Sequence, residues 1–140
     1  MSVTTTVHLN FRGQARAALE FYQSVFGGRL AVATYADAHR VQRPEEADQV
    51  IWGEVQSEAG FHVMAFDVPG DRAHDPGVEA VFVSVRGQDE DEIRGYWDKL
   101  VVGGTVREPL EPSGWAKLYG MVADQFGVIW VLDVMAPFEG

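Results

Sequence analysis

The sequence predicts an α+β fold built from two tandem copies of one module: a strand, a helix and three further strands. Three observations carry this. Residues 7–13 (Val-His-Leu-Asn-Phe-Arg-Gly) recur as 81–87 (Val-Phe-Val-Ser-Val-Arg-Gly), with Val7, Arg12, Gly13 and Gln14 matched by Val81, Arg86, Gly87 and Gln88 at an offset of 74. The helical stripe after the first copy, Ala18, Phe21, Tyr22, Val25 and Phe26, is reproduced by Ile93, Tyr96, Trp97, Leu100 and Val101. Each stripe runs into a Gly-Gly pair, 27–28 and 103–104. A period this long is too great for a solenoid and fits a duplicated domain.

In chain order, Thr4–Phe11 alternates Val7, Leu9 and Phe11 against Thr6, His8 and Asn10, the period of a half-buried strand. The helix follows with i, i+3, i+4, i+7 spacing, and Gly27 ends it. Strands are expected at 29–35, 49–56 and 61–68, the last two joined by the turn Ser57-Glu58-Ala59-Gly60. Residues 36–49, rich in Ala, Asp, Glu and Arg, form a solvated loop with room for a helical turn. The stretch 69–77 has the densest turn chemistry and joins module 1 (about 3–68) to module 2 (about 78–135), both within one domain spanning 1–140. Module 2 then offers a strand carrying Val81, Val83 and Val85, and a helix with Asp89 as N-cap and Glu92 completing a capping box. It continues with a short strand at 105–108, a loop at 109–114, and strands at 116–123 and 128–134 around the turn 124–127.

A single helix covers only one face of a four-stranded sheet. Val7, Leu9, Phe11 and Val81, Val83, Val85 are the helix-facing sets. Thr6, His8, Asn10 and Ala80, Phe82, Ser84 are left on the opposite face. Curved mixed sheets with helices outside would enclose a cavity lined by such residues, suited to a small molecule.

Composition narrows the function. At 140 residues, 46% hydrophobic and 23% charged, the chain is an ordinary globular domain. A formal net charge of −10, with 11 basic residues scattered without a run, argues against a nucleic-acid partner. No apolar run approaches the ~20 residues that span a bilayer, and no secretory leader pattern opens the chain. There is no cysteine. A cytoplasmic location without membrane association is expected.

Asn10-Phe11-Arg12-Gly13, the segment from Ala18-Leu19-Glu20-Phe21-Tyr22 to Phe26-Gly27-Gly28, and Asp124-Gln125-Phe126-Gly127-Val128-Ile129-Trp130 resemble the glyoxalase/bleomycin-resistance/dioxygenase (vicinal-oxygen-chelate) superfamily, in its PhnB-like branch. The resemblance covers roughly residues 3–135. It implies paired βαβββ modules, a cavity in each sheet and a homodimer. It leaves activity open, because the superfamily holds both metal enzymes and metal-free drug-binding proteins.

The superfamily's enzymes bind a divalent ion through His and Glu on four equivalent strands. Carried over position by position, those ligands fall on Thr6, Trp52, Ala80 and Val131. Among their immediate neighbours only Glu79 could coordinate. No cofactor is therefore expected. A metal, if bound after all, would sit near His8 and Glu54, with Asp133 as a third candidate.

The preferred reading is a metal-independent small-molecule-binding protein resembling the drug-sequestering members. Its ligand is held by the aromatic faces of Trp52, Phe82 and Trp115, with Tyr119 extending the wall, and positioned by His8, Asn10, Glu54 and Ser84. Acidic lining with aromatic walls favours a ligand carrying positive charge or amine donors. The alternative is a metal-dependent lyase, isomerase or dioxygenase with a non-standard ligand set. A Ser84/His8/Asp133 triad is set aside, since Ser84 lies mid-strand without a nucleophile elbow. His62 and His74 read as strand-surface and loop residues, and His39 has no assigned role.

Overall fold

The structure, a computed structural model, describes residues 3–136. The chain divides into two compact units after Pro76, inside the turn-rich stretch that the sequence marks as a joint. Unit 1 contains β1 (Val7–Phe11), α1 (Ala15–Phe26), β2 (Arg29–Thr34), β3 (Val50–Gln56) and β4 (His62–Asp67). Unit 2 contains β5 (Val83–Gly87), α2 (Glu90–Leu100), β6 (Thr105–Glu111), β7 (Ala116–Ala123) and β8 (Ile129–Met135). A single 3-10 turn, Pro44–Glu46, interrupts the loop between β2 and β3. Both units are thus strand–helix–three-strand modules.

Each unit forms a mixed four-stranded sheet, ordered β1-β4-β3-β2 and β5-β8-β7-β6. The first and last strands of each module run parallel and the others antiparallel. A parallel neighbour cannot follow through a tight turn, so the helix supplies the crossover. The helix then packs on one sheet face. In unit 1 that face buries Phe11, Val63, Ala65, Asp67 and Val55 under Ala15, Ala18, Leu19, Tyr22, Val25 and Phe26. In unit 2 it buries Val83, Leu118, Val122, Trp130, Leu132 and Val134 under Ile93 and Leu100.

Two glycine pairs set the true correspondence between modules. A Cβ on Gly28 would stand 2.4 Å from the Gln56 carbonyl, and one on Gly104 would stand 2.4 Å from the Ala123 carbonyl. The chain leaves each helix so close to its hairpin that no side chain fits. Gly53 lies under Leu19 and Gly120 under Trp97 in the same manner. Gly53 is opposite Ala65 and Gly120 opposite Leu132; these pair in turn with Leu9 and Val85. Leu9 therefore corresponds to Val85.

This shifts the repeat read from sequence by two residues on the first strands. Val83, not Val81, occupies the place of Val7. Val81 and Phe82 precede β5, and Val81 is 75% exposed rather than helix-facing. The matched Arg-Gly pairs mislead: Gly13 is a turn residue at φ +86°, whereas Gly87 is the last residue of β5. Arg12 donates to the carbonyls of Pro69 and Arg72 in a loop, while Arg86 is a strand residue.

The helix starts also differ. Asp89 accepts from the amides of Asp91 and Glu92, as an N-cap should. Glu92 does not close the box, because its carboxylate accepts from the Tyr96 hydroxyl at 3.1 Å. In α1, Gln14 gives no side-chain cap. Asp67, on β4, takes that role from across the sheet: Oδ1 accepts from Gly13 N at 2.7 Å and Ala15 N at 3.0 Å, and Oδ2 from Val50 N at 2.9 Å. The short strand expected at 105–108 continues to Glu111, through Pro109. Its position at the sheet edge and its register shifts allow a residue with no amide proton.

Candidate functional site

The face of each sheet opposite its helix is only partly covered, and five of the seven predicted ligand-binding residues, His8, Asn10, Trp52, Glu54 and Ser84, fall on these two faces. In unit 1, strand alternation and register place His8 and Asn10 on β1, His62, Met64 and Phe66 on β4, and Trp52 and Glu54 on β3 together. Trp52 is opposite Ala33 and Glu54 opposite Ala31, so the edge strand adds only methyl groups beside them. Four of the seven predicted ligand-binding residues therefore share one surface.

Their contacts sort into two clusters. His8 Nδ1 lies 3.0 Å from Asn10 Oδ1, and its ring meets the Phe66 ring edge-on at 5.2 Å. Glu54 Oε2 lies 2.8 Å from His62 Nε2, and His62 Nδ1 lies 3.1 Å from Thr6 Oγ1. A carboxylate at Nε2 keeps the proton there, which leaves Nδ1 to accept from the Thr6 hydroxyl. His62 is thus held at both ring nitrogens, with side chains 27% and 23% exposed for His62 and Glu54. His62 is the first residue of β4, on the strand surface, and its partnership with Glu54 there was not foreseen from sequence. The hairpin register carries the missed signal: Gln56 faces His62 and Glu54 faces Met64, which makes Glu54 and His62 diagonal neighbours on one face.

Unit 2 presents a different open face. Ser84 is opposite Val131 and Arg86 opposite Asp133. Arg86 Nε and Nη2 donate to the two carboxylate oxygens of Asp133 at 3.0 and 3.1 Å. This hydrogen-bonded pairing, together with the carboxylate's charge, raises the Arg86 pKa above its ordinary value. The sequence offered Arg86 only as the repeat partner of Arg12, so this pair is a second omission. Phe82 is 38% exposed and lies outside β5, not on a strand face. Trp115 precedes β7, is 58% exposed, and packs edge-on against Tyr119 at 5.1 Å. Within unit 2, the pair Trp115–Tyr119 is the part of the expected aromatic wall that is in contact, while Phe82 precedes the strand.

The donor set does not fit the metal of the superfamily's enzymes. Thr6, Trp52, Ala80 and Val131 offer one hydroxyl, an indole and two aliphatic groups, whereas a transition ion needs at least three converging N, O or S donors. Ala80 lies outside any strand, and Thr6 is bonded to His62. Glu79 is ion-paired with Arg107. The trio His8, Glu54 and Asp133 is corrected as well. Glu54 pairs with His62 and Asp133 with Arg86. His8 and Glu54 stand in one row on either side of Met64, about 10 Å apart at two strand spacings. Among the described residues no group of three His, Cys, Asp or Glu could hold a metal ion. No described helix is long and apolar enough to cross a membrane.

Comparison with known proteins bears on the fold and the family. Protein YjdN of Escherichia coli (strain K12) is 26% identical over 142 residues, covering 91% of this chain and 92% of that protein. The crystal structure of PA1353 from Pseudomonas aeruginosa superposes with a TM-score of 0.83 at 27% identity, covering 96% of this chain and 98% of that one. A Bacillus cereus structure described as a putative 3-demethylubiquinone-9 3-methyltransferase, PhnB protein, gives a TM-score of 0.71 at 26% identity, covering 94% and 99%. The sequence profile of one family matches residues 6–132, and the chain belongs to that family, the Glyoxalase/Bleomycin resistance protein/Dioxygenase superfamily.

Proposed function

We propose that this chain is a small-molecule-binding protein that works without a metal, in the manner of the superfamily's drug-sequestering members. One observation carries the reading. The open face of the unit 1 sheet combines aromatic surface (Trp52, Phe66) with polar groups (His8, Asn10, Glu54, His62) that hydrogen-bond in pairs and do not converge on one point. Paired donors and acceptors beside flat apolar surface suit an organic ligand. A homodimer belongs to the same reading, supported by the exposed apolar residues Val78, Val81, Phe82 and Trp115.

The test has two arms. Protein purified without chelators is assayed for bound transition metals, and a broad small-molecule set is screened by thermal shift. The expectation is no stoichiometric metal and at least one organic hit. A hit at 100 times its dissociation constant adds roughly 2.7 kcal/mol of stability, and Trp52→Ala or His8→Ala abolishes that gain. A stoichiometric metal that is lost in His8→Ala would overturn the reading in favour of an enzyme. Light scattering at twice the chain mass checks the dimer.

A further inference from the structure

Unit 1 contains a pocket of about 210 Å³ at the end of the same sheet, between the 36–49 loop and the turn at 69–72. Its floor is apolar: Ile51, Phe66, Pro69 and the ring of Tyr35. The Tyr35 hydroxyl is already used, donating to the Asp67 carbonyl at 2.6 Å. Phe66 both lines this pocket and touches His8, which joins the pocket to the open face.

The rim is charged. Arg40 and Arg72 line it from opposite segments, and neither takes part in an ion pair among the described residues. Their backbones are nevertheless pinned. Arg40 N donates to Tyr35 O at 2.9 Å, just after His39 in the left-handed region at φ +57°. Arg72 N donates to Pro69 O at 3.0 Å, and its carbonyl accepts from Arg12. Two acids share the rim, Asp71 and Glu46, and Glu46 Oε2 is held by the amide of Gly70 at 2.8 Å. A guanidinium carries five donors and no acceptor. Two of them stand on hydrogen-bonded turns above an apolar floor, without an ion-pair partner among the described residues, in a chain of net charge −10.

We infer that this pocket binds a small organic anion, a single-ring carboxylate or phosphate ester, with Arg40 and Arg72 on the anionic group and the ring on Phe66 and Ile51. The inference rests on the small-molecule reading above and reverses the ligand charge expected from sequence. Size supports one ring: typical ligand pockets run on the order of 300–1,000 Å³, and this one is smaller. Gln42 and Asp71 remain at the rim to take a hydroxyl or amide of the ligand.

The experiment titrates the full chain with benzoate, phenyl phosphate, inorganic phosphate and benzylamine, followed by amide chemical shifts and calorimetry. Arg40→Gln, Arg72→Gln and the double variant are compared with the parent after circular dichroism has confirmed their folding. Benzoate or phenyl phosphate is expected to shift the amides of Arg40, Ile51, Phe66 and Arg72. Each single variant should bind about tenfold more weakly, the loss of one charge-assisted hydrogen bond. Phe66→Ala should bring phenyl phosphate down to the affinity of inorganic phosphate, and added salt should weaken all anions. Which anion binds tighter separates carboxylate from phosphate ligands. Unchanged anion binding in the double variant, shifts that map elsewhere, or binding of benzylamine alone would overturn the inference and leave the small-molecule reading standing. Silence from these probes while the broad screen gives hits has the same meaning. Silence in both experiments removes both readings. The shift map on the parent protein decides the matter even where a variant fails to fold.

Discussion

Asp67 caps a helix that begins 52 residues earlier: its Oδ1 accepts from the amide of Ala15, the first residue of α1, at 3.0 Å. The same carboxylate accepts from Gly13 N and, through Oδ2, from Val50 N. It therefore ties together the start of α1 and the strands β3 and β4, and its negative charge sits where the helix dipole favours it.

Asp67→Ala should cost at least about 3 kcal/mol, because it leaves buried amide donors without partners. Asp67→Asn should also destabilise, since both carboxylate oxygens accept and an amide NH₂ must then face an N–H. Urea denaturation of the two variants checks this. An Asn variant as stable as the parent would show that the cap works through one oxygen only.

Three glycine-to-alanine changes separate packing from backbone effects. At Gly120 a Cβ would approach the Leu110 Cα and the Trp97 ring at 2.9 Å, so Gly120→Ala should destabilise by about 1–3 kcal/mol. Gly53→Ala meets Leu19 Cδ1 at 2.5 Å and should behave likewise. Gly95 lies within α2 with nothing within 4 Å, and Gly95→Ala should stabilise by up to about 1 kcal/mol. Thermal melts of the three would contradict this account if their order were reversed.

Removing Arg86 should expose how much Asp133 depends on it. Asp133 is 3% exposed, and Arg86→Met leaves that carboxylate without its guanidinium. The melting temperature should drop by a few degrees. Arg86→Met/Asp133→Leu should recover most of the loss, because an apolar pair carries no unpaired charge. A double variant as unstable as the single one would assign the effect to lost packing by the Arg86 stem.

The alkaline limb of stability should carry the mark of Tyr35. Burial foremost, then the carboxylates of Asp67 and Glu46, raises its pKa above the ordinary 10.0. The folded state therefore holds this proton more tightly than the unfolded one. The contribution is complete below about pH 10 and is lost as pH rises through the raised folded value. Burial and the Glu92 partner raise Tyr96 in the same direction. Absorbance titration of tyrosinate should show late ionisation, with one late-ionising group fewer in Tyr35→Phe. That variant should also lose about 1 kcal/mol with the bond to Asp67 O. Asp37 acts with the opposite sign. Hydrogen bonds from Thr34 lower its pKa, so its contribution is present above the ordinary 3.8 and fades as pH falls through the lowered value.

The modules were legible because helix packing leaves a periodic trace. Ala18, Tyr22 and Val25 answer to Ile93, Trp97 and Leu100 whatever the loops do. Register was less legible. Val81 and Phe82 have strand chemistry yet lie before β5, and the two-residue slip shows only through the pairings Gly53–Ala65–Leu9 and Gly120–Leu132–Val85. For the site, alternation correctly put His8, Asn10, Trp52 and Glu54 on one face. It could not show that Glu54 reaches diagonally to His62, since that depends on hairpin pairing. Asp67 gave no local sign at all: its partners lie 17 to 54 residues away along the chain.

The two ways of closing a helix start have a consequence for how the chain is made. Residues 89–100 contain everything needed to begin α2, because Asp89 emerges beside the amides it accepts. Nothing near Gln14 does this for α1. At about 5–20 residues per second of synthesis, α1 leaves the ribosome several seconds before the carboxylate that closes it. The first helix made is therefore the one that must wait. In refolding, Asp89→Ala should slow the folding limb, while Asp67→Ala should mainly speed unfolding. Interrupted-refolding kinetics on these two variants can establish whether the second module leads.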